Sequence, residues 1–375
     1  MDEAQSPRSA LIDQAYFLAD NIVDLFLVRD ITIDVPEKEY VRFRGTLLCD
    51  LNTQFDTLRQ RFEHYGYTPM IREEDGQTVL IGMPHIFRPK PTRPWLNLLL
   101  FIATIFTTLL VGSLLFSAET LPESLFSTSG FTQFLQILWR GWPFSLSILT
   151  ILGAHELGHY FAARYHKVNV SLPYFIPVPT IIGTMGAFIA IREPIKNRRA
   201  LFDIGASGPL AGLVFAIPIL AIGLATSDFT VYNPQFAEGN SILYALMKVI
   251  VLGQYYPSNG VDVQLNQMAY AGWCGLLVTG INLMPVGQLD GGHSAFVLFG
   301  KKAKWLYWPV ILSLIAISLI LQTTIWLVWT VLLFFVGRVR AEPLDDVSGA
   351  GPTRRVLAVV MLVLFFLTFV PVPFP

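Results

Sequence analysis

Charge is what this sequence has least of. Only 14% of its 375 residues are Asp, Glu, Lys or Arg, while 53% are hydrophobic. An average soluble chain carries about 25% charged residues. The shortfall, with a mean hydropathy of +0.53, argues against an ordinary soluble protein and for a multi-span membrane protein, mainly α. The 26 basic and 27 acidic residues leave a net charge of −1, so no nucleic-acid partner is expected. Cysteine is scarce too. Cys49 and Cys274 suggest neither a disulfide framework nor a thiolate metal site. No signal-peptide pattern and no Ser/Arg-rich leader opens the sequence, which favours a bacterial plasma membrane over an organelle. Long-period repeats and low-complexity tracts are also absent.

Nearly half of the charge that is present sits in the first 91 residues. Residues 1–91 read as a small cytosolic α/β domain. "LIDQAYFLADNIVDLFLV" (11–28) is an amphipathic helix, and "YVRFRGTLL" (40–48) alternates like a strand. "NTQFDTLRQRFEHYG" (52–66) is a helix from an Asn52 cap to a Gly66 stop. "YTPMIREEDGQTVLIGM" (67–83) is a hairpin turning at Asp75-Gly76. "RPKPTRP" (88–94) is a basic linker at the membrane surface.

Residues 92–375 form the membrane domain, with a core at 143–300. A helical span needs about 20 apolar residues. About seven are expected, near 95–116, 143–165, 200–226, 268–285, 305–321, 323–338 and 355–371. The two short ones, 305–338, suit a helical hairpin turning at Gln322-Thr323-Thr324. "SLPYFIPVPTIIGTMGAFIAI" (171–191) is apolar but broken by Pro and Gly, so it is an irregular segment buried in protein or lining a cavity. "SILYALMKVIVLGQ" (241–254) is short and carries Lys248, which suits a helix on the interface. The positive-inside rule puts the N-terminus in the cytoplasm, because 164–199, 300–304 and 338–355 hold most of the basic residues of 92–375. The opposite loops, 117–142 and 227–267, hold only Arg140 and Lys248.

"GAHELGHY" (153–160) places His155 and His159 at i and i+4 on one helix. They differ by about 40° around the axis and about 6 Å along it, so both imidazoles reach one metal ion. Glu156 lies beside them, where it can take a proton from a water at the metal. Counting about 1.5 Å per residue from Phe144, the pair lies about 17–23 Å deep, in the inner half of the bilayer. Ionisable groups at such depth mark function by default.

A catalytic zinc takes a third protein ligand and leaves a position open. Asp290, in "NLMPVGQLDGGH" (282–293), is the sole acidic residue in 263–341. Pro285 and Gly291-Gly292 are expected to break the helix around it. His293 is a rival ligand, expected nearer water. Asn282 reads equally as a substrate contact and as an interhelical polar contact. Gly183 and Gly186 suit either close substrate approach or ordinary turns. Asp203 suits a helix-dipole partner or a group orienting a ligand histidine. His166 and His64 read as surface histidines.

HExxH on one span with "NxxPxxxLDGG" on a later one resembles the site-2 protease family of intramembrane zinc metalloproteases. "GTMGAFIAIREP" (183–194) is similar to that family's re-entrant, substrate-holding β-loop, and "DIGASGPLAG" (203–212) to the small-residue opening of its next core helix. The subgroup with a small N-terminal domain and extra C-terminal spans is nearest; PDZ-like and CBS modules are missing. The resemblance implies that His155, His159 and Asp290 bind Zn²⁺, that Glu156 activates water, and that Asn282 contacts substrate. Gly183, Gly186, Ala187 and Phe188 would lie in the substrate-holding loop. It implies a transmembrane protein as substrate, the lipid bilayer as surroundings, and an active site open to the cytoplasm. A homo-oligomer is left open. The competing readings are a metal or proton transporter and a catalytically silent scaffold on the same fold. No inverted repeat supports the first, and the presence of Glu156 opposes the second.

Overall fold

The computed structural model describes residues 7–88, 93–116, 127–234, 237–338 and 342–374. Most of the linker expected at 88–94, and part of the loop expected at 117–142, fall outside them. The chain divides into two compact units: Met1–Lys90 with Arg192–Leu201 and Ala341–Gly351, and Pro91–Ile191 with Phe202–Arg340 and Pro352–Pro375.

The first unit begins with α1 (Pro7–Asn21), β1 (Phe26–Ile33) and β2 (Val41–Leu47). It continues with α2 (Leu51–His64), β3 (Thr68–Glu74) and β4 (Gln77–Met83). Its strands form one antiparallel sheet in the order β1-β2-β4-β3. Strand β1 corrects the expectation of a helix reaching Val28. The apolar spacing continues past Asn21, but "FLVRDITI" is rich in β-branched residues and pairs along β2. In α2, Leu51, Phe55, Leu58 and Phe62 fall on one buried stripe at helical spacing. Its cap is Asp50, two residues before the expected Asn52, with the carboxylate accepting from the Asn52 amide. Asp75 and Gly76 both take positive φ, as the tight β3–β4 turn requires. The two distant segments of the unit join its interior. Leu344 is buried, and its carbonyl accepts from the Ile71 amide at 2.7 Å while its amide donates to Ile195.

The second unit is mainly helical: α3 (Pro94–Phe116), α4 (Thr128–Trp139), α5 (Trp142–Tyr165) and, from Phe202 on, α6 (Arg198–Ala225), then α7 (Ile242–Leu252) and α8 (Gln267–Asn282). After these come α9 (Asp290–Phe299), a 3-10 segment (Gly300–Leu306), α10 (Tyr307–Ile320), α11 (Ile325–Val336) and α12 (Pro352–Thr368). Among the described residues, three segments are long and apolar enough to cross a membrane: Pro94–Phe116, Arg198–Ala225 and Asp290–Ile320. A fourth is Thr128–Trp139 with Trp142–Tyr165, taken as one span bent by 49°. The protein is a mainly helical membrane protein. Helix α4, capped by Ser127, occupies part of what the sequence suggests is loop. Helix α11 rises only about 18 Å. It packs against α10 across a turn in which Gln322 takes positive φ, the hairpin expected there.

Lys248 departs most from expectation. Its side chain is not at a lipid surface but fully buried in protein. It meets Glu238 at 2.8 Å and Asp262 at 3.9 Å, and its ammonium lies over the Tyr244 ring. A buried ammonium needs such partners, and the two acids come from outside α7, where helix-by-helix reading does not look.

Helix α8 is buried along most of its length and packs against α5 and α12, while α12 also packs on α9. These contacts bring the two chemical motifs together.

Candidate active site

His155, Glu156 and His159 lie on α5 and all are buried. Asp290 is the first residue of α9. Gly291-Gly292 do not break the helix here, contrary to expectation. They lie within its first turn, where the chain folds back on itself. A Cβ at Gly291 would stand 1.9 Å from the Leu283 carbonyl oxygen, and one at Gly292 would stand 2.4 Å from that of Gly287. The double glycine is therefore what lets the 283–290 turn close tightly enough to aim Asp290 at α5.

One oxygen of Asp290 lies 3.4 Å from Nε2 of His155 and 3.4 Å from Nε2 of His159. One ligand atom from each of the three residues falls within 4.8 Å of the others. Tetrahedral zinc with bonds of about 2.0–2.1 Å separates its ligand atoms by about 3.3–3.4 Å, so the two Asp290–histidine separations match that ion, and two imidazoles with a carboxylate are donors it takes. The second ring nitrogen of His159 is engaged: Nδ1 lies 2.7 Å from the Ile204 carbonyl oxygen. That bond places the ring proton on Nδ1 and leaves Nε2 free to ligate.

Helix α6 packs closely on this pair. A Cβ at Gly208 would sit 2.1 Å from His159 Nε2, and one at Gly212 would sit 3.3 Å from His155 Nδ1. The small residues of "DIGASGPLAG" thus make room for the two imidazoles rather than only for a neighbouring helix. Sequence reasoning finds the stretch but not this use of it, and it misses the Ile204 carbonyl, which no side chain advertises.

Other expectations need revision. His293 is buried, not near water; its ring packs on Gly205, and it is not part of the three-residue group. Asp203 does not orient a ligand histidine. Its carboxylate accepts from Arg354 at 2.7 Å through both oxygens and lies 2.8 Å from His166 Nε2. His166 is therefore a partner of Asp203 rather than a free surface group.

Asn282 ends α8, and its amide nitrogen lies 3.3 Å from His155 Nε2. The expected loop forms a small hairpin, with β5 (Tyr174–Phe175) antiparallel to β6 (Ala187–Phe188). Gly183 and Gly186 take positive φ, and Gly183 also packs on the Thr108 backbone of α3. These demands account for glycine at both positions. Phe188 is exposed and Ala187 half-buried. The Ile189 amide approaches the Glu156 carboxylate.

The family model for peptidase family M50 matches residues 143–320. Probable zinc metalloprotease EGY2, chloroplastic, of Oryza sativa subsp. indica is 30% identical over 392 residues, covering 100% of this chain and 68% of that protein. The chain belongs to peptidase family M50. Probable zinc metalloprotease EGY1, chloroplastic, of Oryza sativa subsp. japonica is 31% identical over 307 residues, covering 76% of this chain and 52% of that protein. The chain thus spans about half the length of that relative. The Arabidopsis thaliana protein of the same description is 34% identical over 238 residues, covering 61% of this chain and 43% of that protein. No solved structure matches. M50 is the site-2 protease family of zinc metalloproteases, and zinc is the cofactor its members imply. The relatives are named chloroplastic, so they lend no support to the bacterial membrane expected from the sequence.

Proposed function

We propose that this M50 member is an active intramembrane zinc endopeptidase that cuts within or near the transmembrane segment of a membrane-anchored protein. The observation that carries this reading is the buried triangle of His155, His159 and Asp290 with Glu156 on the same helix as the histidines. In it, the two imidazoles and the Asp290 carboxylate would hold Zn²⁺, which when bound would supply acidification of a water and polarisation of the scissile carbonyl. Glu156 accepts the proton of the attacking water and delivers it to the departing amine. Its position suits that role, since it sits on the same helix as the two histidines and the Ile189 amide, approaching its carboxylate, can fix the carboxylate's orientation.

A transmembrane helix hides its carbonyls in its own hydrogen bonds, so the substrate unwinds to be cut. Strands β5 and β6 form a sheet of two strands only, which supports strand addition by the freed substrate backbone. Ala187 and Phe188 then lie along the bound strand, and Gly183 and Gly186 set the loop's path. Asn282, close to His155, hydrogen-bonds the unwound backbone beside the scissile bond.

In this reading residues 1–91 are a cytosolic domain and 92–375 the membrane domain, with α3, α5, α6, α8, α10, α11 and α12 as seven apolar passes. The basic residues of 164–199 and 300–304 then face the cytoplasm with the N-terminus. A site in that half of the bilayer draws its water from the cytoplasm.

Removal of the metal tests the proposal. Wild-type protein treated with a zinc chelator is expected to stop cutting a single-span substrate and to resume when zinc is added back. Cleavage that continues unchanged in protein shown by metal analysis to be zinc-free would rule it out.

A further inference from the structure

Away from the metal centre, the open end of the α10–α11 hairpin carries a cavity of about 460 Å³ lined by Lys304, Trp305, Tyr307, Trp308 and Arg338. Two cations and three aromatics form this wall, with no carboxylate among them. Lys304 and Arg338 are exposed, and neither has an acidic partner among the described residues. Trp305 and Trp308 are also exposed, at 72% and 54%. In a chain so poor in charge, this pairing of unneutralised cations with exposed indoles is a local exception.

Three contacts lie beside the cavity. The Tyr307 hydroxyl donates to the Phe334 carbonyl at 3.2 Å, which ties the start of α10 to the end of α11. The Arg338 guanidinium lies 4.0 Å from the Phe334 ring centroid, a cation–π contact. Gly337 packs so closely that a Cβ at Gly287 would meet its Cα at 2.6 Å.

We propose that this cavity binds the headgroup of an anionic phospholipid. The phosphate sits between the Lys304 ammonium and the Arg338 guanidinium, and the indoles of Trp305 and Trp308 lie at headgroup level, where tryptophan settles in bilayers. Basic pockets between membrane helices have the charge such headgroups require. The acyl chains continue along the exposed apolar faces of α10 and α11, which carry Leu312, Leu319, Val328 and Phe335. Those chains separate a lipid from free phosphate as occupant.

The test is binding by the delipidated full-length protein in neutral detergent, titrated with fluorescent phosphatidylglycerol and, separately, fluorescent phosphatidylcholine. It needs no proteolysis, so it stands apart from the protease reading. Wild type is expected to prefer phosphatidylglycerol by about tenfold or more, since each basic side chain contributes several-fold near an anionic surface. The double variant Lys304→Gln/Arg338→Gln is expected to lose that preference with an unchanged melting temperature, both side chains being exposed. Lys304→Arg is expected to retain it. Excess inorganic phosphate is expected to leave the labelled lipid bound. Equal affinity of wild type for both lipids, a double variant with wild-type preference, or displacement by inorganic phosphate would each overturn the assignment.

Discussion

Glu156→Gln is expected to lower peptide-bond cleavage by about 10²–10⁴-fold, the range for a lost general acid–base, while zinc content stays at the wild-type level. The amide keeps the size of the carboxylate and can still occupy the space beside the Ile189 amide. It cannot take a proton from water at neutral pH. Zinc is retained because Glu156 is not among the three donors that converge. The measurement is cleavage rate and metal content on the same preparation. A variant that cuts at the wild-type rate would remove Glu156 from the chemistry. A variant that loses zinc would show instead that Glu156 belongs to the metal's donor set.

The second large effect is expected at a residue with no chemistry of its own. Gly208→Ala adds a methyl group whose carbon would stand 2.1 Å from Nε2 of His159. No contact that short is tolerated, and the imidazole is held from its other side by Ile204. Either the ring turns away and its nitrogen leaves the metal, or α6 shifts and takes the Ile204 carbonyl with it. Both outcomes spoil ligation. Loss of a group that orients a ligand costs about 10–100-fold in metal affinity, and displacing the ligand itself is expected to reach at least the upper end. Gly153→Ala is the control, because a Cβ there meets nothing within 4 Å. That change is expected to leave zinc and activity intact and to favour the helix slightly. Zinc retention against a competing chelator separates the two variants, with melting temperature to show that Gly208→Ala still folds. Wild-type retention by Gly208→Ala would mean that α6 does not press on the metal histidines as described.

The centre is legible in sequence because its parts obey local rules. The i, i+4 spacing of His155 and His159 needs only helix geometry to put them on one face, and Asp290 stands out as the lone acid in a long apolar stretch. The parts that escape depend on distant partners. Lys248 looks like an interfacial lysine because its buried acids, Glu238 and Asp262, lie outside α7. Asp203 looks like a local helix feature, yet it bonds to His166, 37 positions away, and Arg354, 151 positions away. The Ile204 carbonyl is backbone, so no residue type signals it. Strand β1 is hidden for a different reason. The apolar spacing of α1 runs on past Asn21, and only the pairing with β2 decides that Phe26–Ile33 is extended. The double glycine is visible but misleading, because a turn that packs against Leu283 and Gly287 looks in sequence like a broken helix.

The most direct measurement of the central claim is a map of where the enzyme cuts. Wild-type protein and a single-span membrane substrate are reconstituted together in vesicles, and the new termini are identified by mass spectrometry. The proposed zinc site, carried on apolar helices, predicts termini inside the substrate's apolar segment, toward its cytoplasmic half, and none in the presence of a zinc chelator. Termini confined to the substrate's soluble flanks, or internal cuts that persist without zinc, would contradict it.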